Sequence, residues 1–130
     1  MFKSITTNLM VESVDETVEF YRDVLDFSVT VSVPKKDGKL QFAIITKDNL
    51  MLMLQDRENL IEEYPVLNTL KVQPSATLYI AVDNFSGFYE ELKNKHEILC
   101  DVHQTFYGSK EFAVKDNSGY VLTFTENIEK

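Results

Sequence analysis

Gln41-Phe42-Ala43-Ile44, then Lys47-Asp48-Asn49, then Met51-Leu52-Met53-Leu54, is a passage that the chain writes twice. Its second copy reads Glu111-Phe112-Ala113-Val114, Lys115-Asp116-Asn117 and Val121-Leu122-Thr123-Phe124. Upstream of each copy lies a hydrophobic run, Thr6 to Val11 and Thr77 to Val82, followed by a helical stretch with Phe20-Tyr21 or Phe88-Tyr89. A repeat of about 70 residues is too long for a solenoid unit and fits two copies of a small α+β module. Paired modules of this kind are expected to form a curved mixed sheet around a cleft.

The surrounding signals give each copy the same order of elements. Residues 4–11 read as a strand. Ser13-Val14-Asp15-Glu16 is a capping box that starts a helix running to about Leu25, with Val14, Val18, Tyr21 and Leu25 at helical spacing. Residues 27–33, 40–46 and 50–55 read as strands, the first two joined by a turn at Pro34-Lys35-Lys36-Asp37-Gly38. Asp56 caps an acidic amphipathic segment that Pro65 stops, and residues 66–75 form the linker. In the second copy, strands are expected at 76–82, 98–102, 111–114 and 120–125, with a helix from about Phe85 to Lys95. Each half is therefore β-α-β-β-β. The expected organisation is one domain over 1–130, with modules at about 1–65 and 76–130.

Bulk properties narrow the function. The chain has 130 residues, 44% of them hydrophobic, enough to bury a core. A net charge of −8 disfavours nucleic acid or an anionic membrane as partner and tolerates a neutral or cationic ligand. The single cysteine, Cys100, excludes an internal disulfide and fits a reducing cytoplasm. The first eight residues lack a long apolar core, so no secretory leader is expected, and no run is long enough to span a membrane.

Strand alternation separates two sheet faces. Leu9, Val11, Leu50, Leu52, Leu54, Leu78, Ile80, Val82, Leu122 and Phe124 share one, which suits packing beneath helices. Thr6, Asn8, Met10, Met51, Met53, Gln55, Thr77, Tyr79, Val121, Thr123 and Thr125 share the other, read as free of formal charge. A face open to bulk water in so charged a chain would carry Lys and Glu. A neutral, half-polar face fits a sheltered concave surface for a small molecule. The competing reading is an inter-module or dimer core with methionines as gap fillers.

Paired β-α-β-β-β modules with these words resemble the vicinal oxygen chelate superfamily, and within it the glyoxalase/bleomycin-resistance branch. The residues that carry the likeness are Asn8-Leu9-Met10-Val11-Glu12-Ser13-Val14, Phe20-Tyr21-Arg22-Asp23-Val24-Leu25 and the final hairpin from Tyr107 to Tyr120. The family's hairpin commonly carries Asp-Pro-Asp-Gly where this chain has Asp116-Asn117-Ser118-Gly119. The resemblance implies a metal held at Thr6, Met53, Thr77 and Thr123, and three hydroxyls with a thioether are poor ligands for a divalent transition ion. Neighbouring Asn8, Gln55 and Thr125 are no better, and Glu126 has the opposite parity to Thr123.

The expected function is a metal-free, cofactor-free and homodimeric binder of a small organic ligand, with no catalytic residues assigned. Its ligand contacts are expected at Thr6, Asn8, Met53, Gln55, Thr77, Tyr79, Phe106, Tyr107, Phe112 and Thr123. The resemblance implies that Phe106-Tyr107-Gly108 forms a lip over the site, and the competing reading is ordinary aromatic packing under a loop. The alternatives are a lyase, isomerase or dioxygenase with a displaced metal site, and a dimerisation platform without a ligand. His96 is read as capping a helix C-terminus, His103 as a solvated loop residue and Cys100 as a buried thiol.

Overall fold

A computed structural model of the chain describes residues 1–126. After the first strand, β1 (Thr7–Val11), Ser13 Oγ accepts the Glu16 amide at 3.1 Å and starts α1 (Val14–Leu25). This satisfies one of the orphan donors of the first turn. Asp26 closes the helix in the left-handed conformation at φ 63° and returns its N–H to Arg22 and Tyr21. Three strands follow: β2 (Ser28–Pro34), β3 (Leu40–Lys47) and β4 (Leu50–Asp56). Asp56 then caps α2 (Arg57–Glu63), and a 3₁₀ turn covers Pro65–Leu67. The second series is β5 (Thr77–Val82), α3 (Phe85–Lys93), β6 (Cys100–Gln104), β7 (Lys110–Lys115) and β8 (Val121–Glu126).

The chain divides into two compact units, Met1–Gln73 and a second beginning at Pro74. Each holds one four-stranded mixed sheet, in the order β1-β4-β3-β2 or β5-β8-β7-β6. The first strand of each unit runs parallel to the last, and the remaining pairs are antiparallel. The architecture is α+β, built from two tandem β-α-β-β-β modules.

One face of each sheet is sealed by a helix. In the first unit Leu9, Val11, Ala43, Ile45, Leu52 and Leu54 are buried, and α1 packs on them through Val14, Val18, Tyr21 and Leu25. Thr17 is buried among them, its hydroxyl donating to Ser13 O at 2.7 Å. In the second unit the core is aromatic. Phe112 stacks against Phe85, Phe124 and Tyr89 with ring centroids 5.4, 5.3 and 5.0 Å apart, and Phe88 meets Phe124 at 4.8 Å. Each buried Leu, Ile or Phe contributes about 1.5–3 kcal/mol over exposure.

The repeated passage does not repeat in register. In the first unit Lys47 pairs with Leu50 across a two-residue turn, and Asp48 takes a φ of 52° there. In the second, Lys115 pairs with Val121 across residues 116–120. The loops differ in length by an odd number of residues, so the matching words of β3 and β7 land on opposite faces while those of β4 and β8 keep theirs. Ala43 is in the core while Phe42 faces the open side opposite Gln55. In the second unit Phe112 is in the core and Ala113 faces the open side opposite Thr123. This corrects the expectation that Phe112 lines a ligand site, because it is fully buried beneath α3.

Candidate functional site

On the open face of the first sheet, β1 and β4 bring Asn8 opposite Met53, and β3 adds Phe42 opposite Gln55. Gln55 is buried and fully engaged. Its carbonyl oxygen accepts Asn8 Nδ2 at 2.8 Å, and its amide nitrogen donates to Asn59 Oδ1 at 2.6 Å and Glu63 Oε1 at 3.0 Å. Asn59 and Glu63 arrive because α2 leaves the end of β4 immediately after Gln55. Around this network lies a groove of about 440 Å³, walled also by Val33, Phe42, Met53 and Tyr64. Its size falls in the range of small-molecule pockets, and apolar walls with a few fixed polar groups are what such pockets offer. A larger cleft of about 580 Å³ lies beside the N-terminus of α1. Charged side chains line it, among them Lys35 and Asp56, 3.9 Å apart, and Asp15, which accepts the Leu40 amide at 2.9 Å.

The second sheet's open face carries a charge that alternation had been read to exclude. Glu111 pairs with Thr125 on that face and is buried. Tyr79 on β5 and Tyr107 in the β6–β7 loop both donate their hydroxyls to Glu111 Oε2, at 2.5 and 2.7 Å. The intervening strand presents Thr123 and Thr125, short enough for the Tyr79 phenol to reach across to β7. Tyr107 is turned back by residues 105–108, where the Gly108 N–H closes on Thr105 O at 3.0 Å and Gly108 takes φ 85°. Burial alone would raise the Glu111 carboxyl, but hydrogen bonds from Tyr79, Tyr107 and Ser109, with the nearby His103, outweigh it and hold it below the usual range. The same contacts, Glu111 first and Tyr79 second, push the Tyr107 phenol up to about 12.

The expected contacts thus divide into two clusters. Asn8, Met53 and Gln55 meet in the groove, while Tyr79 and Tyr107 meet on Glu111. Thr6 lies just before β1, its hydroxyl 4.0 Å from Met51 Sδ, and Thr77 opens β5 opposite Val121. Thr123 sits beside Tyr79 on the open face. Phe106 is fully exposed at the loop tip, its ring 4.9 Å from Tyr107. Three further expectations are corrected. Cys100 is exposed, because β6 is an edge strand with a register shift after it. His103 lies in β6 opposite Glu111 rather than in a loop. The His96 ring reaches Lys115 O at 2.9 Å, while only its backbone N–H returns to the end of α3, at Leu92 O.

Phe42, Glu63 and Glu111 were missed. Pairing β3 to β4 through the short Asp48-Asn49 turn would have placed Phe42 beside Gln55. The alternation of Glu111 with Phe112 held the second clue.

The metal implied by the resemblance does not fit these residues. Thr6, Met53, Thr77 and Thr123 offer three hydroxyls and a thioether, without imidazole, carboxylate or thiolate. Among the described residues there is no group of three or more His, Cys, Asp or Glu side chains arranged to hold a metal ion.

A family model described as the Glyoxalase/Bleomycin resistance protein/Dioxygenase superfamily matches residues 4–124. Among solved structures, TioX from Micromonospora sp. ML1 is similar at 14% identity and TM-score 0.73, over 98% of this chain and 100% of that one. The bleomycin-binding protein of Streptomyces verticillus, solved with copper(II)-bleomycin, gives 19% identity and TM-score 0.69, with 98% of each chain covered. Lactoylglutathione lyase from Agrobacterium tumefaciens gives 17% identity and TM-score 0.67, over 96% of this chain and 93% of that one. At these identities the likeness concerns the fold. No curated protein matches the chain in sequence. The chain belongs to the Glyoxalase/Bleomycin resistance protein/Dioxygenase superfamily.

Proposed function

We propose that this protein binds a small neutral or cationic organic molecule on the open faces of its sheets, without a metal ion. The observation that carries the reading is the groove of about 440 Å³ in the first unit, where Phe42, Met53, Val33 and Tyr64 surround the Asn8–Gln55–Asn59 network. Apolar burial would supply affinity, and the amides would set orientation at roughly 0.5–1.5 kcal/mol per hydrogen bond. Glu63 at the groove and Glu111 on the second sheet bias both faces toward neutral or positive ligands. A lyase, isomerase or dioxygenase chemistry of the metal-dependent kind needs donors that Thr6, Met53, Thr77 and Thr123 lack. The bleomycin-binding protein of the same fold lends support, since it was solved with an organic ligand, copper(II)-bleomycin.

A thermal-shift screen of small aromatics and cationic antibiotics tests this. A true ligand at a hundred times its Kd stabilises the folded state by about 2.7 kcal/mol. Phe42→Ala and Gln55→Ala should abolish that shift for a groove ligand. No stabilisation by any compound, or a shift indifferent to both substitutions, would count against the reading.

A further inference from the structure

Glu111 is a buried carboxylate held ionised on an open sheet face, and the side chains that donate hydrogen bonds to it are neutral hydroxyls. Among the described residues no Lys or Arg forms an ion pair with it. Burying an anion against neutral donors, with the His103 imidazole opposite it on β6 only partly offsetting its charge, is costly, so negative charge remains for a cation brought from outside. That charge is passed outward. Both phenols donate to the same oxygen, so Tyr79 Oη and Tyr107 Oη stand close together, and each becomes a stronger acceptor for a further donor. Both tyrosines are more than half exposed, and Phe106 beside Tyr107 is fully exposed. An anion flanked by accessible aromatic rings is complementary to a cation with an apolar skin, which gains from both the charge and the ring faces. A bare metal ion is a poorer match, since the single carboxylate is already engaged and no cluster of further ligands adjoins it.

We propose that Tyr79, Tyr107 and Glu111 form a recognition site for an organic ammonium group, with Phe106 at its rim. The assignment rests on the ligand-binding reading above and names the class of ligand. Tyr79 and Tyr107 present ring faces and phenol oxygens, and Glu111 supplies the charge behind them.

Calorimetric titration with benzyltrimethylammonium, benzyl alcohol and phenylacetate separates the contributions. The ammonium should bind at least roughly tenfold tighter than the alcohol, and phenylacetate weakest. Glu111→Gln should erase the preference, while Glu19→Gln, an exposed change of equal charge on α1, should keep it. Tyr107→Ala, on the exposed loop, should also cut the ammonium affinity several-fold and serves as the test if Glu111→Gln fails to fold. A wild-type protein that binds benzyl alcohol as tightly as the ammonium overturns this site and leaves the ligand-binding reading standing. A preference that survives Glu111→Gln, or an ammonium affinity unchanged by Tyr107→Ala, overturns it too. Binding of none of the three probes, together with silence in the wider compound screen, defeats both.

Discussion

Glu111 and Phe112 are neighbours in sequence and opposites in role, because a strand sends consecutive side chains to opposite faces. Phe112 is fully buried among Phe85, Tyr89 and Phe124, so Phe112→Ala should cost about 3–5 kcal/mol, read as a drop in the denaturation midpoint. An equal cost for Met53→Ala, which is only half-buried at the groove, would contradict this division of the two faces. Glu111 makes a separate pH prediction. Its folded carboxyl is held below the range of an unfolded glutamate, so the ionised form favours folding. That contribution is fully present above the unfolded value and drains away as acid titrates through the depressed folded one. Melting temperature followed from about pH 7 to about pH 3 should fall less steeply for Glu111→Gln than for wild type. Identical acid limbs would contradict the hydrogen-bonded, ionised carboxylate. Asn8, Met53 and Gln55 were legible from alternation because β1 and β4 are short and regular. Glu111 was not, since its likeness to Gln41 in the repeated words hid a change of face.

The caps and turns spoke clearly in the sequence. Ser13, Asp56 and Gly38 each make the local bonds that their residue types favour, so element order followed directly. Register was the weaker link, since it depended on loop length rather than on the strands' own composition. A second long-range device escaped sequence reasoning altogether. Glu12, just after β1, accepts the Val72 amide at 2.8 Å and Arg57 Nε at 2.9 Å, while Arg57 Nη1 donates to Thr69 O at 3.1 Å. The Val72 hydrogen bond, then that of Arg57, hold the Glu12 carboxyl below its ordinary value. Glu12 thereby ties residues 69–72 back to the start of α1 and to α2. Glu12→Ala should speed hydrogen exchange at the Val72 amide by about tenfold or more, with a global stability change within about 1 kcal/mol because the Glu12 side chain is more than half exposed. An unchanged Val72 exchange rate would show that this tie does not hold the segment.

The duplication made the two-module architecture readable, since patterning within each copy fixed which face the helix covers. What each open face offers a ligand was less readable, because groove and carboxylate site both draw on residues far apart in sequence, such as Asn8 with Glu63 and Tyr79 with Glu111. On the proposed reading, the donor set at Thr6, Met53, Thr77 and Thr123 separates this chain from metal-dependent chemistry on the same fold. Purified protein stripped with a chelator, then titrated with benzyltrimethylammonium with and without added Zn²⁺, Ni²⁺, Mn²⁺ or Fe²⁺, tests that separation most directly. The binding constant should be the same in every case, with no stoichiometric metal taken up. Binding that appears only when one of these ions is restored at one equivalent would contradict it.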